Sequence, residues 1–149
     1  MLTLLHITDA TGQVVEPSYL AAAEAVHREL RQEKLAVGSE YLKQMHRVFV
    51  GGGRMLVAIS DGAVVGVAVY RIYENTFAGM QMYVDDLVTT QNRRSTGVGQ
   101  LLLHELQACA RRHHCTELTL DSGTQRKRAH QFYLREKMEI DSFHFSMRL

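Results

Sequence analysis

The sequence predicts a mixed α/β fold, and three observations carry that prediction. Valine- and isoleucine-rich runs flank an Asp61-Gly62 turn, as antiparallel strands do. Apolar residues recur at helical spacing both before and after those runs. A glycine-bearing turn, Arg94-Ser95-Thr96-Gly97-Val98-Gly99, joins a strand-like segment to a helix-like one. With 149 residues and 46% hydrophobic content, the chain can build one sizeable core and little more, so a single domain over 1–149 is expected.

Along the chain, Leu2 to Ile7 reads as a first strand. Pro17 suits the first turn of a helix reaching about Gln32, with Leu20, Ala23, Val26 and Leu30 on its apolar face. Ser39 is placed to cap a short second helix whose apolar side holds Leu42, Met45 and Phe49. Met55 to Ile59 and Ala63 to Tyr73 form the predicted hairpin, followed by a strand within Ala78 to Thr89. A helix over Gly99 to His113 presents Leu102, Leu106 and Cys109 on one side, and Arg111 to His114 set cations at its carboxyl end. Thr116 to Leu120 reads as a strand, Gln125 to Glu136 as a last helix, and Ile140 to Arg148 as a terminal strand.

The Arg94–Gly99 turn has the makings of an anion site. Glycine lets backbone approach a ligand closely, and a helix start offers unpaired N–H groups and a positive dipole end. Familiar phosphate loops do not fit it. A Walker loop needs Lys and Ser or Thr after its second glycine, where Gln100-Leu101 stand. A dinucleotide fingerprint needs three glycines, and this turn has two. A kinase loop would require further signatures for which the chain has little room.

Asp85-Asp86-Leu87-Val88-Thr89, then Arg94-x-x-Gly97-x-Gly99, a helix, the strand Glu117 to Leu120, and Ala129-x-x-Phe132-Tyr133 together resemble the GNAT superfamily of acyl-CoA-dependent N-acyltransferases. The resemblance covers about residues 54 to 149. It implies a mostly antiparallel, twisted central sheet with a splayed parallel strand pair and flanking helices. It also implies acetyl-CoA as co-substrate. Its pyrophosphate would lie on Arg94, Ser95, Thr96, Gly97, Val98, Gly99 and Gln100, and its pantetheine arm along the backbone of Leu87, Val88 and Thr89. A metal is not implied.

By the same resemblance, Tyr133 is the acid that protonates the departing thiolate, and Phe132 beside it is a core aromatic. An alkylamine is protonated at neutral pH, so its attack on the thioester needs a base. In polyamine acetyltransferases of the superfamily the first member of an acidic pair takes this role, which points to Asp85, one methylene shorter than the usual Glu and therefore suited to a water relay. Strand alternation would let only one of Asp85 and Asp86 face the cleft. Glu74 and Asp86 are the expected contacts to a cationic substrate. Three positions depart from the pattern: Gln91 replaces a common Pro, Arg126 a common Asn, and Lys137 the usual Gly after the last helix. Arg126 is placed to touch pantetheine or phosphate, and the last helix is expected to end differently without its glycine.

Charge is distributed unevenly. Residues 1–90 carry seven Lys or Arg against ten Asp or Glu, whereas residues 91–149 carry ten against six. The basic half holds the proposed coenzyme turn, but the net charge of +1 gives no reason to invoke nucleic acid or a membrane surface. The apolar start, Met1 to His6, is too short for a signal peptide or a span, which makes a cytoplasmic location the expectation. Cys109 and Cys115 match neither metal-ligand nor disulfide spacing, and the eight histidines form no ligand pattern. The expected activity is acetylation of a primary amine on a small molecule, with the homodimeric state left open. Acetylation of a protein or peptide amine, and coenzyme A binding without turnover, are the alternatives.

Overall fold

A computed structural model describes residues 1–149, which divide into two compact units, Met1–Thr119 and Leu120–Leu149. The elements run β1 (Leu2–His6), α1 (Pro17–Leu30), α2 (Ser39–Val50), β2 (Gly53–Ser60), β3 (Ala63–Asn75), β4 (Gly79–Thr89), α3 (Val98–Arg112), β5 (Glu117–Leu120) and α4 (Lys127–Arg135). The five strands form one mixed sheet in the order β1-β2-β3-β4-β5, antiparallel from β1 to β4 with a parallel pair at β4 and β5.

The β2–β3 hairpin closes as its sequence predicts. Asp61 (φ 51°) and Gly62 (φ 80°) both take left-handed conformations, whose twist matches that of the flanking strands. One face of the sheet is covered by α1 and α2. Leu20, Ala23 and Val26 of α1 and Tyr41, Met45 and Phe49 of α2 bury against Met55, Val57, Val67, Val69 and Val88. On the other face lies α3, with Val98, Leu102, Leu106 and Cys109 buried. Gly66 on β3 makes this approach possible: a Cβ there would stand 2.8 Å from both Leu102 Cδ1 and Val98 Cγ1. The start of α3 is thus seated by a missing side chain on β3.

Three local expectations are corrected. Gly38, not Ser39, is the N-cap of α2, and no side chain caps it. Residues 140–148 form no strand; Phe143, Phe145, Met147 and Leu149 alternate as a strand face would, yet all are exposed. The last helix does stop in the left-handed way despite lacking glycine. Lys137 itself takes φ 70°, and the N–H groups of Lys137 and Met138 donate to Leu134 O (3.1 Å) and Tyr133 O (3.0 Å).

A residue with a Cβ is disfavoured in that conformation by roughly 1–2 kcal/mol, part of which glycine returns through its freer unfolded chain. Lys137→Gly is therefore expected to stabilise the protein by about 0.5–1 kcal/mol. A rise in the urea midpoint at unchanged slope is the confirming measurement.

Candidate active site

The centre of the site is a β-bulge in β4. Asp86 pairs with Val69 and Val84 with Tyr70, so Asp85 has no residue opposite it. Val69 and Arg71 face the α1–α2 side of the sheet. Asp85 continues the frame of Tyr83, which pairs with Arg71, while Asp86 shares the face of Val69. Both carboxylates therefore line one cavity of about 290 Å³. The expectation that only one could face it fails because the extra residue interrupts the two-residue period.

Asp86 is the more deeply placed, with 13% of its side chain exposed. His27 Nε2 lies 2.7 Å from Oδ2, and Arg31 Nε donates to Oδ1 at 2.7 Å. A carboxylate only accepts, so Nε2 donates to Asp86, while Nδ1 meets the Tyr41 hydroxyl 3.1 Å away. Burial pushes the Asp86 carboxyl upward, but the His27 hydrogen bond and the Arg31 charge outweigh it, and the net shift is below the ordinary value. Burial pushes the Tyr41 phenol well above its ordinary value.

A carboxyl lowered in the folded state stabilises the fold above its unfolded pKa, and that contribution is lost as pH falls through the folded one. Asp86→Ala would leave a buried imidazole and a guanidinium without their acceptor, a loss of roughly 2–4 kcal/mol. At pH 7 denaturant unfolding is expected to show that loss. Below about pH 3.8, the ordinary value for this group, the gap between variant and parent is expected to narrow.

Asp85 forms a two-pronged pair with Arg71, Nε to Oδ2 and Nη2 to Oδ1, both 2.9 Å. Arg71 lies 5.9 Å from the centre of the Tyr73 ring and 5.3 Å from that of Tyr83, so aromatic faces hold its guanidinium in place. Arg31 also donates to the Asp85 carbonyl at 2.8 Å and so clamps both halves of the bulge. Glu74, farther along β3 beside the β3–β4 turn, is exposed and does not line the cavity.

The N-terminal third, which carries no legible motif, supplies much of the lining: His27, Arg31 and Lys34 from the end of α1 and the segment after it, and Gln44 from α2. One signal was available. His27 falls at the helical spacing of Leu20 and Ala23, so a polar group occupies a core position of α1.

On the Arg94–Gly99 turn, Gly97 is the N-cap of α3 in a left-handed conformation (φ 91°), and its carbonyl accepts from Leu101 N at 3.0 Å. Space is open where its Cβ would stand, and the first helical turn follows directly. Ser95 also has positive φ, 63°, and the Thr96 hydroxyl donates to Arg93 O. Glu29 of α1 ties down the strand exit, accepting from Thr90 Oγ1 (2.6 Å) and Gln91 N (2.9 Å). Arg94 donates from Nε to Thr89 O at 3.3 Å and comes within 4.0 Å of Glu29. Leu87, Val88 and Thr89 pair on one side with Ala68, Val67 and Gly66. The surroundings fit an elongated anion: a left-handed glycine, a helix start and a guanidinium on one turn.

In the second unit, Tyr133 lies on α4 with its ring 5.5 Å from that of Phe132. Burial pushes its phenol up, and the charge of Arg126 opposes that shift. Arg126 is the N-cap residue of α4 and is exposed. Cys109 and Cys115 are free thiols; Cys109 is buried, 3.7 Å from the Tyr70 hydroxyl. No group of three His, Cys, Asp or Glu side chains is close enough together to hold a metal ion. No helix is long and apolar enough to cross a membrane.

An uncharacterized N-acetyltransferase of Bacillus subtilis (strain 168), YhdJ, is 42% identical over 69 residues, 45% of this chain and 48% of that protein, so the match spans about half of the relative's length. Among solved structures, an aminoglycoside N-acetyltransferase, AAC(6')-Iy, in complex with coenzyme A, superposes with a TM-score of 0.83 at 12% identity, covering 100% of this chain and 95% of that one. An acetyltransferase of Trypanosoma brucei gives a TM-score of 0.80 at 20% identity, with 100% of both chains covered. At such identities the superpositions speak for the fold. The model of the acetyltransferase (GNAT) family matches residues 20–138, from α1 through α4, and the chain belongs to that family.

Proposed function

We propose that this protein transfers the acetyl group of acetyl-CoA to a primary amine of a small molecule. The observation that carries the reading is the pairing, within one unit, of a left-handed glycine turn opening α3 with a cavity that presents two carboxylates at the β4 bulge. A volume of about 290 Å³ suits a compact acceptor. The family match runs across residues 119 and 120, which supports reading both units as one acetyltransferase domain. A cytoplasmic setting is part of the same proposal.

In this mechanism the pyrophosphate is held by the backbone of residues 95 to 100 with Arg94, and Arg126 adds a further cation. The pantetheine arm bonds along Leu87, Val88 and Thr89. The amine nitrogen attacks the thioester carbonyl carbon, a C–N bond forms, and the C–S bond breaks. Asp85 accepts the amine proton through water, and Tyr133 returns a proton to the thiolate, giving an acetamide and free coenzyme A. Asp85 is preferred over Asp86 as base because more of its side chain reaches the cavity, 32% against 13% exposed.

Release of free thiol from acetyl-CoA in the presence of a panel of primary amines tests the reading. Turnover with a small amine supports it; turnover confined to peptide amines redirects it to a protein substrate. Tight coenzyme A binding with no turnover would leave a binding module. Within the active protein, Asp85→Asn is expected to lower kcat roughly tenfold near neutral pH. The loss should shrink at high pH, where more of the amine is already neutral. A larger rate loss in Asp86→Asn than in Asp85→Asn, at equal folded fraction, would transfer the base role to Asp86.

A further inference from the structure

We propose that the amine acceptor also carries an anionic group, a carboxylate or a phosphate, and that Lys34, with Arg31 and Arg71, forms its subsite; the inference rests on the acetyltransferase reading above. The charges around the cavity are three cations, Arg31, Lys34 and Arg71, against two carboxylates, Asp85 and Asp86. Both carboxylates are already engaged at both oxygens: Asp85 by Arg71, and Asp86 by His27 and Arg31. His27 is bonded at both ring nitrogens. A cationic substrate would meet carboxylates whose charge is already matched by Arg71 and Arg31, with Lys34 left over as a repelling charge.

The cations have capacity left. A guanidinium offers five N–H groups, and Arg71 directs two of them to Asp85. Lys34 lines the cavity, and its side chain makes neither a hydrogen bond nor an ion pair; only its backbone carbonyl is engaged, by Gln44. Gln44 thereby fixes the segment from which Lys34 projects, and its Oε1 accepts from Ala36 N at 2.8 Å. An anion placed against Lys34 would restore charge balance in the lining. The same excess of positive charge disfavours the ammonium form of the reacting amine and so promotes the proton loss that attack requires.

The test uses the full-length protein and four primary amines of one chain length, ending in a methyl group, a second amine, a carboxylate or a phosphate. Each is measured by acetyl-CoA-dependent thiol release and by calorimetric titration onto the protein with coenzyme A. The carboxylate- or phosphate-bearing amine is expected to exceed the methyl-ended one by at least about tenfold in kcat/KM and in affinity. The two acidic arms decide between the anions. In Lys34→Ala that preference should fall several-fold, and in Lys34→Glu the diamine should overtake the acidic amines. Lys34-dependent binding of the acidic amine without turnover would uphold the anion subsite and refute the transferase reading. Equal or better binding and turnover of the methyl-ended amine or the diamine by the parent protein would overturn the subsite, as would an unchanged preference in both Lys34 variants.

Discussion

Tyr133→Phe is expected to lower kcat by about tenfold to a hundredfold while leaving acetyl-CoA affinity nearly unchanged. The substitution keeps the ring that packs beside Phe132 and removes only the hydroxyl. A phenol whose pKa burial holds above its ordinary value stays protonated across the neutral range and retains a proton for the thiolate. General acid catalysis is typically worth about 10² to 10⁴ in rate, and water can recover part of it. Loss in kcat without loss of coenzyme affinity marks an interaction made in the transition state. A folded variant keeping more than half of the parent kcat, with chemistry shown to limit the rate, would return Tyr133 to a packing role.

Gly97→Val is expected to weaken acetyl-CoA binding at least tenfold, equivalent to about 1.4 kcal/mol. Two effects act together. At φ 91° a β-branched residue is strongly disfavoured, so the turn must shift to accept it. Its side chain would also enter the open space at the start of α3, where the pyrophosphate is proposed to lie. Because no atom beyond the adjoining residues lies within 4 Å of the added Cβ, the core beneath should remain packed and the variant folded. Calorimetric titration of a folded variant that binds with parental affinity would remove the phosphate cradle.

Local signals carried much of the fold. The Asp61-Gly62 hairpin, the Pro17 helix start and the strand–turn–helix around Gly97 each follow from the conformational limits of a few adjacent residues, and each stands in the structure. What was hidden depended on partners distant in sequence. His27 and Arg31 meet Asp86 across 59 and 55 residues; Arg31 bears no local mark of that contact, and His27 only its polar place on the apolar face of α1. The terminal strand failed for a related reason: alternation at Phe143, Phe145 and Met147 specifies two faces but supplies no neighbouring strand. The parity argument at Asp85-Asp86 failed because nothing in that dipeptide announces an extra residue. Lys137 was misjudged because capping bonds can hold a Cβ-bearing residue at positive φ.

The bulge also makes Asp85 supernumerary to the sheet. Val84 opposite Tyr70 and Asp86 opposite Val69 are already successive rungs, since Val69 and Tyr70 are neighbours on β3. Excising Asp85 would close the ladder without shifting a single pair or turning any side chain to the wrong face. The carboxylate at this position is thus carried outside the sheet's own hydrogen-bonding pattern. Its chemistry can be changed with little demand on the pairing of β3 with β4, while Arg31, gripping the Asp85 carbonyl and the Asp86 carboxylate, keeps the spare residue from unwinding the strand.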